Sequence, residues 1–198
     1  MEKYLLDTNI YINFYERYYR VKYFPSFWAK LPAILNKYVV IPEIVVDENY
    51  QAPKFRKWLD KNYLKEIINH KNYAIQWAKV LQYIDDCEYY KDEALSADRG
   101  WAHEKIADPW LIAIAKAENL TIVTSEIRNP NLHNPNGNKA AKIPDVCDDL
   151  EVDCIGMNDF FAKINFVLIV FIYEFLKKRA VDMTKNTLFQ HGTMQMLV

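Results

Sequence analysis

Four acidic residues lie either just after a predicted strand or at the start of, or within, a predicted helix. Asp7 and Glu126 each follow a short apolar run that is typical of a buried parallel strand. Asp108 suits the N-terminal cap of the helix before the second of these strands, and Glu48 lies one to two turns into an earlier helix. Because open α/β sheets bind ligands at the carboxyl edge of their strands, we expect the four carboxylates to converge there.

Four carboxylates in one place raise each other's pKa and oppose joint ionisation, and a divalent cation resolves that conflict. Oxygen ligands without histidine or cysteine select a hard ion, so Mg²⁺ or Mn²⁺ is the expected cofactor. Such an ion activates water and neutralises charge on a phosphodiester. The pattern therefore predicts metal-assisted phosphodiester hydrolysis, in which all four acids are metal ligands and catalytic residues.

Each acid also has an ordinary structural explanation. Asp108 taken alone is more often a helix cap than a ligand, and Glu126 taken alone passes for a surface residue. Glu48 has two acidic neighbours on its helix, Glu43 and Asp47, that are rivals for the same role. The joint placement of the acids, and no single residue, favours the metal site.

Strands and helices alternate along the chain. The predicted strands are Tyr4–Leu6, Tyr38–Ile41, Leu120–Val123 and Val152–Ile155. The predicted helical stretches are Glu43–Tyr50, Lys54 to about Lys105, Pro109–Asn119 and Asn158–Phe161, and a loop covers Asn129–Lys142. This alternation predicts an α/β fold with a central, mainly parallel sheet.

Composition excludes several classes of protein. Of the 198 residues, 51% are hydrophobic and 15% aromatic, enough for a core and too many for long disorder. No glycine-rich phosphate-binding motif occurs among the 4 glycines. The net charge of -1 provides no global basic field, so contacts with nucleic acid would need a local patch. The 3 cysteines lack metal-ligand spacing and indicate reduced thiols, with a Cys147–Cys154 disulfide as the less favoured alternative.

Four short motifs resemble the PIN-domain family. They are Leu5-Leu6-Asp7-Thr8-Asn9, Val46-Asp47-Glu48, Ala107-Asp108-Pro109-Trp110-Leu111-Ile112-Ala113 and Ile122-Val123-Thr124-Ser125-Glu126. Their order and spacing also match, over about residues 3–161, although Glu126 stands where the family more often has Asp. The Asp-Pro-Trp form, the segment 18–28 and the segment 142–147 resemble one PIN subfamily long catalogued without function, whose members often lie beside predicted antitoxin genes.

The resemblance implies a PIN-like α/β/α sandwich and a Mg²⁺- or Mn²⁺-dependent endoribonuclease, the toxin of a toxin–antitoxin pair. It implies that Asp7, Glu48 and Asp108 bind the metal, and that Glu126 binds it either directly or through water. It further implies that Thr8 and Asn9 orient Asp7 and that Thr124 forms a hydrogen bond in the same shell. An RNA substrate, an antitoxin partner and a cytoplasmic location follow, and a homodimer is compatible with the family.

Several basic residues are candidates for substrate phosphate. Arg128, Lys139 and Lys142 follow the strand of Glu126 and lie in or beside a loop, where functional residues are frequent. A second basic group, between Lys54 and Lys65, alternates with aromatic residues; an amphipathic helix with solvated lysines is favoured there over a strand-binding face. Asp145 is either a fifth acid of the site or a turn residue.

The C-terminal segment matches nothing in the family. The apolar run Ile164–Leu176 is shorter than the roughly 20 residues that cross a bilayer, so stable membrane insertion is not expected. A helix buried in the core or in an interface between subunits is favoured. The expected organisation is a nuclease domain over residues 1–163 and an appended segment over 164–198.

Two other functions compete with the nuclease. A phosphohydrolase with Asp7 as its nucleophile would resemble the haloacid dehalogenases, whose pattern is Asp-x-Asp, but this chain has Asn9 at the second position. An inactive PIN-like module that binds RNA or protein would be expected to have lost acids, and all four are present. Activity is therefore favoured over both alternatives.

Overall fold

The computed structural model describes residues 2–49, 52–134 and 137–168. The chain divides into two units, Met1–Phe166 and Val167–Val198, and the first contains all elements named below. The strands are β1 (Tyr4–Leu6), β2 (Val39–Val40), β3 (Thr121–Val123) and β4 (Cys154–Ile155). The helices are α1 (Thr8–Ile12), α2 (Pro25–Tyr38), α3 (Glu43–Glu48), α4 (Pro53–Asn62), α5 (Ala74–Asp86), α6 (Glu93–Ser96), α7 (Ala107–Glu118), α8 (Ile143–Asp149) and α9 (Met157–Lys163). A π-helical turn at Asn13–Arg17 continues α1, and a 3₁₀ turn at His70–Tyr73 precedes α5.

The four strands form one parallel sheet in the order β2-β1-β3-β4. Leu5 of β1 aligns with Val40 on one side and with Ile122 on the other. Every residue of β1 and β3 is buried, as expected for central strands that are covered on both faces. The predicted α/β class with a central parallel sheet is confirmed, and the arrangement is consistent with a PIN-like α/β/α sandwich.

Chain order places a topological switch point between β1 and β3. From β1 the chain passes to β2 on one side, then crosses to β3 on the other side of β1 and continues to β4. In open parallel sheets the crevice at such a reversal, beyond the carboxyl ends of the strands, is where ligands bind. Asp7 and Thr124, which directly follow β1 and β3, stand at this crevice, and the Asp7 N–H donates to the Val123 carbonyl over 2.9 Å.

The structure corrects the predicted capping roles. Helix α7 begins at Ala107 with Ile106 as its N-cap, so Asp108 lies in the first turn and does not cap the helix. Asp7 does occupy the N-cap of α1, but its side chain forms no capping hydrogen bond. Pro42 is the N-cap of α3, which begins at Glu43 as predicted. Two of the candidate metal ligands are thus not used to satisfy helix ends.

Of the two interpretations of the basic segment 54–65, helix α4 fits the amphipathic helix with solvated lysines. Phe55 and Leu59 are buried, and the Trp58 ring packs edge-on against Trp28 with centroids 4.8 Å apart. Lys54 and Lys57 are exposed. The aromatic side chains of α4 therefore belong to the packed interior and its lysines to the solvated face.

The predicted apolar helix Ile164–Leu176 is wrong over its first five residues. Helix α9 ends at Lys163, and Asn165 adopts a left-handed conformation with φ 52°, which stops the helix. Phe166 instead packs on Phe161, with ring centroids 4.9 Å apart. Residues 169–176 lie outside the described residues. No described helix is long and apolar enough to cross a membrane.

Candidate metal centre

Asp7 is held in place at the carboxyl end of β1. Its side chain is only 4% exposed, and its Oδ2 accepts hydrogen bonds from the Thr124 hydroxyl, over 2.6 Å, and from the Asn9 amide. Asn9 also joins the two central strand ends, because its Oδ1 accepts the Ser125 N–H over 3.0 Å. The predicted placement of Asn9 and Thr124 around Asp7 agrees with these contacts.

Glu48 ends α3 and turns towards the same crevice. One carboxylate oxygen accepts the Thr8 hydroxyl, and the other accepts the N–H of Ala107, the first residue of α7, over 2.7 Å. Thr8 therefore orients Glu48 and not Asp7, contrary to the prediction. The rivals do not make these contacts: Glu43 is exposed, and Asp47 forms an exposed ion pair with Arg56 at 3.6 Å.

Glu126 reaches the site from the loop after β3 and is tied to the start of α8. Its Oε1 lies 3.1 Å from the Lys142 ammonium, and its Oε2 accepts the Ile143 N–H over 2.8 Å. The backbone N–H of Glu126 donates to the Thr124 hydroxyl oxygen over 3.0 Å. Thr124 thus connects Asp7 with the residue that carries the fourth acid.

The four acids act on one another electrostatically. Burial, with the charges of Glu126 and Glu48, raises the pKa of Asp7 to about 7, although the hydrogen bond from Thr124 opposes the shift. Burial followed by the charges of Asp7, Glu126 and Glu48 raises the pKa of Asp108 well above its usual range. Burial also raises the pKa of Glu48, against the hydrogen bonds from Thr8 and Ala107. A cluster in which ionisation is this unfavourable attracts a cation.

The donor chemistry of this cluster suits a hard divalent cation. All four candidate ligands are carboxylates, and the hydroxyl-bearing residues Thr8 and Thr124 hold two of them. As the side chains stand in residues 2–49, 52–134 and 137–168, no three acidic, histidine or cysteine side chains surround a common point as ligands of one ion. Three of the carboxylates are engaged by the chain itself: Asp7 by Thr124 and Asn9, Glu48 by Thr8 and Ala107, and Glu126 by Lys142 and Ile143.

One family model, described as "Domain of unknown function (DUF4411)", matches residues 4–168 and so spans all four acids. The chain belongs to this family. No curated protein and no solved structure matches it.

In this DUF4411 domain, the three basic residues predicted to bind substrate are all paired. Arg128 forms a two-point pair with Asp148 at 2.6 and 2.7 Å, and Lys139 lies 3.2 Å from Glu93. Lys142 pairs with Glu126 and lowers the pKa of Asp108, so among these three it is the one at the acid cluster.

Asp145 serves the loop that follows β3 in the DUF4411 domain. Its side chain is 5% exposed, and both carboxylate oxygens lie 3.1 Å from the Asn129 N–H. Of the two interpretations weighed from the sequence, these contacts fit the loop role. Asp145 holds the loop between Glu126 and Asn129 close to the first turn of α8.

Sequence reasoning missed two contributions to the site. Asn13, in the π-helical turn, is buried and donates from Nδ2 to the Ser125 hydroxyl over 2.8 Å, which adds a further link between the segments that follow β1 and β3. Arg99 is the cation whose charge lowers the pKa of Glu48. Nothing in the sequence around Arg99 indicates this proximity, because Arg99 and Glu48 are 51 residues apart.

Proposed function

We propose that this chain is a metal-dependent endoribonuclease, most simply the toxin of a toxin–antitoxin pair, that hydrolyses RNA phosphodiester bonds. The observation that carries the proposal is the set of four carboxylates at the switch point of the sheet: Asp7, which is buried, and Glu48, Asp108 and Glu126, which are half-buried and raise the pKa of their neighbours. The PIN-like motifs of the sequence support the same function. A cytoplasmic location and an antitoxin partner are part of the proposal.

The four acids would hold Mg²⁺ or Mn²⁺. When bound, such an ion supplies an activated water and neutralises charge on the phosphodiester. The chain's own contribution is rigidity: Thr124 and Asn9 fix Asp7, while Thr8 and the Ala107 N–H fix Glu48. Fixed ligands lose little further freedom on binding, which favours both affinity and geometry.

Lys142 neutralises part of the cluster's charge. Its ammonium lies against Glu126 and stabilises the ionised form of Asp108, so it takes up part of the role that a divalent ion would have. Because Glu126 is shared between the Lys142 ammonium and the Ile143 N–H, its negative charge is already partly neutralised by a cation of the chain. We therefore expect Glu126 to contribute less to metal affinity than Asp7.

The decisive experiment is a cleavage assay on end-labelled single-stranded and stem-loop RNA. The purified chain should cleave with Mn²⁺ or Mg²⁺, stop with EDTA, and leave 5′-phosphate ends. Glu48→Gln should lower the rate by at least about 100-fold, since it removes a charge that organises the metal. Glu43→Gln makes the same change on an exposed residue of the same helix and should leave the rate unchanged.

In cells, expression of the chain should slow growth, and Asp7→Asn should remove the effect at equal protein level. Equal slowing by both proteins, or equal cleavage by the Glu48 and Glu43 variants, would refute the catalytic role of the cluster. Co-purification from the native operon tests the toxin assignment separately, because a stably bound small partner is expected only for a toxin.

A further inference from the structure

A cleft of about 1220 Å³ extends from the acid cluster across the surface between α3 and the loop before α7. Thr8 and Glu48 line it, so the cleft reaches the candidate metal centre on the side of Glu48. Its volume is larger than the roughly 300–1,000 Å³ of a pocket for a drug-sized ligand. A cleft of this size next to a hydrolytic centre has room for the parts of a polymer that flank the reacting bond.

Three exposed cations line this cleft: Lys71, Arg99 and Lys105. Within the described ranges none of the three side chains forms a hydrogen bond or an ion pair. By contrast, Arg128 and Lys139 are each paired with a carboxylate elsewhere. Arg99 acts on Glu48 through its charge, without a direct contact. Cations near a phosphodiesterase centre that no described carboxylate contacts directly are available to an anionic ligand.

The other charges of the cleft do not cancel these cations. Besides Glu48, the acidic residues that line it are Glu16, Asp47 and Glu104, and Asp47 is paired with Arg56. His70 also lines the cleft, but burial lowers its pKa. Glu48 is assigned to the metal and Asp47 to its ion pair, so two acids of the cleft remain, Glu16 and Glu104. At neutral pH three cations of the cleft therefore stand against two acids.

The loop that carries Arg99 and Lys105 is fixed by the fold. A side chain at Gly100 would place its Cβ 2.1 Å from the Leu95 carbonyl oxygen, so only glycine fits that turn. The Trp101 N–H donates to the Ala94 carbonyl over 2.9 Å, and the Trp101 side chain is 3% exposed. The same loop leads into the Ala107 N–H that binds Glu48. The backbone that carries the two cations is therefore fixed relative to the acids.

We infer that Lys71, Arg99 and Lys105 bind backbone phosphates of a single-stranded polynucleotide, and that the cleft is the path of the strand on one side of the scissile bond. This inference rests on the proposed nuclease function for the identity of the polymer. Phosphate contacts of this kind position a strand without reading its sequence. The cleft cations would thus set affinity and register, while the acids perform the hydrolysis.

The test measures binding and cleavage separately. Binding of a fluorescent 12-nucleotide single strand is followed by anisotropy in the uncleaving Asp7→Asn full-length chain, over a series of salt concentrations. Each of Lys71→Ala, Arg99→Gln and Lys105→Ala should weaken binding and reduce the slope of log K against log salt by about 0.7. Arg99→Lys should restore the slope, and Lys57→Ala, on the exposed face of α4, should change nothing.

In the active parent, the same substitutions should raise KM for RNA more than they lower kcat. Unchanged slopes and KM in the triple variant would overturn the strand path even if the parent cleaves RNA with metal. A parent that binds the strand through these cations but never cleaves it would refute the proposed hydrolysis and would support the cleft as the path of the strand. Competition by a mononucleotide as strong as that of the 12-mer would overturn the path in favour of a single-phosphate site.

Discussion

At the scale of single residues, Asp7 is a carboxyl group whose ionisation is unfavourable in the folded protein. The residue is buried at the end of a central strand, where desolvation and two neighbouring acids raise its pKa to about 7. In the unfolded chain the group has its ordinary pKa of 3.8. At pH values between the unfolded and the folded pKa, such a carboxyl group is protonated in the native state and ionised in the unfolded state. The metal-free protein should therefore lose stability as pH rises from about 4 to about 7.

Asp7→Asn should remove this share of the pH dependence, because Asn has a similar shape and is neutral at every pH. In EDTA at pH 8 the variant should be more stable than the parent, by at most about 4 kcal/mol for a shift of this size. At pH 4 the two proteins should unfold at nearly the same denaturant concentration. Urea titrations at both pH values measure this, and a variant less stable than the parent at pH 8 would show that Asp7 is a stabilising charge.

Asp108 belongs to the same electrostatic group and is not a helix cap, which changes what its variants can show. Since no capping bond is lost, both Asp108→Asn and Asp108→Ala should fold and should melt higher than the parent without metal at pH 7.5. Both should also show a smaller rise in melting temperature on addition of Mn²⁺; the parent should gain about 2.7 kcal/mol at a hundredfold excess over Kd. Equal metal-induced shifts in the parent and both variants would exclude Asp108 as a ligand.

At the scale of elements, the candidate site depends on loops and helix starts more than on the strands themselves. Lys142, the N-cap of α8, forms no capping hydrogen bond with its own side chain. The Glu126 carboxylate supplies an acceptor in its place, because it accepts the N–H of Ile143, the first residue of the helix. The carboxylate thus combines a structural contact with its predicted metal role. Two substitutions can separate these roles.

Glu126→Gln keeps an acceptor for the Ile143 N–H, and Glu126→Ala does not. Both remove the negative charge that raises the pKa values of Asp7 and Asp108. The alanine variant should therefore be less stable than the glutamine variant by about 1 kcal/mol, the usual cost of a lost N-terminal cap. Denaturant titrations in EDTA at pH 7 measure the difference. If the two variants are equally stable, the contact with Ile143 does not stabilise α8.

The sequence predicted the elements better than the contacts between them. Strands β1 and β3 were predictable because a short apolar run ended by polar residues has one simple explanation in an alternating chain. The orientation of Thr8 towards Glu48 was not, because position 8 starts a helix and its side chain could serve either acid. Arg99 could not be connected with Glu48, since the turn that brings them together depends on the packing of Trp101 and Gly100. Tertiary packing, which has no local signal, decided these cases.

At the scale of the whole molecule, the family match and the packed unit extend slightly beyond the boundary predicted at residue 163. The match ends at residue 168, and the first unit ends at Phe166. Phe166 packs against Phe161 and Phe27, with centroid separations of 4.9 and 5.8 Å, and its N–H donates to the Phe161 carbonyl over 2.8 Å. These contacts join the end of the unit to α2 and α9, so the position of a truncation should matter.

A chain that ends at Leu168 should therefore fold and keep the metal-induced stabilisation of the full chain, whereas one that ends at Lys163 should be less stable. The loss should be about 2 kcal/mol, less than for a fully buried phenylalanine, because the Phe166 side chain is partly exposed. Phe166→Ala in the chain ending at Leu168 should reproduce most of this loss. Val167→Ala is the control, since Val167 is 62% exposed. Equal unfolding midpoints for the two truncated chains would place the end of the folded unit at Lys163, and the ring contacts of Phe166 would then contribute nothing to its stability.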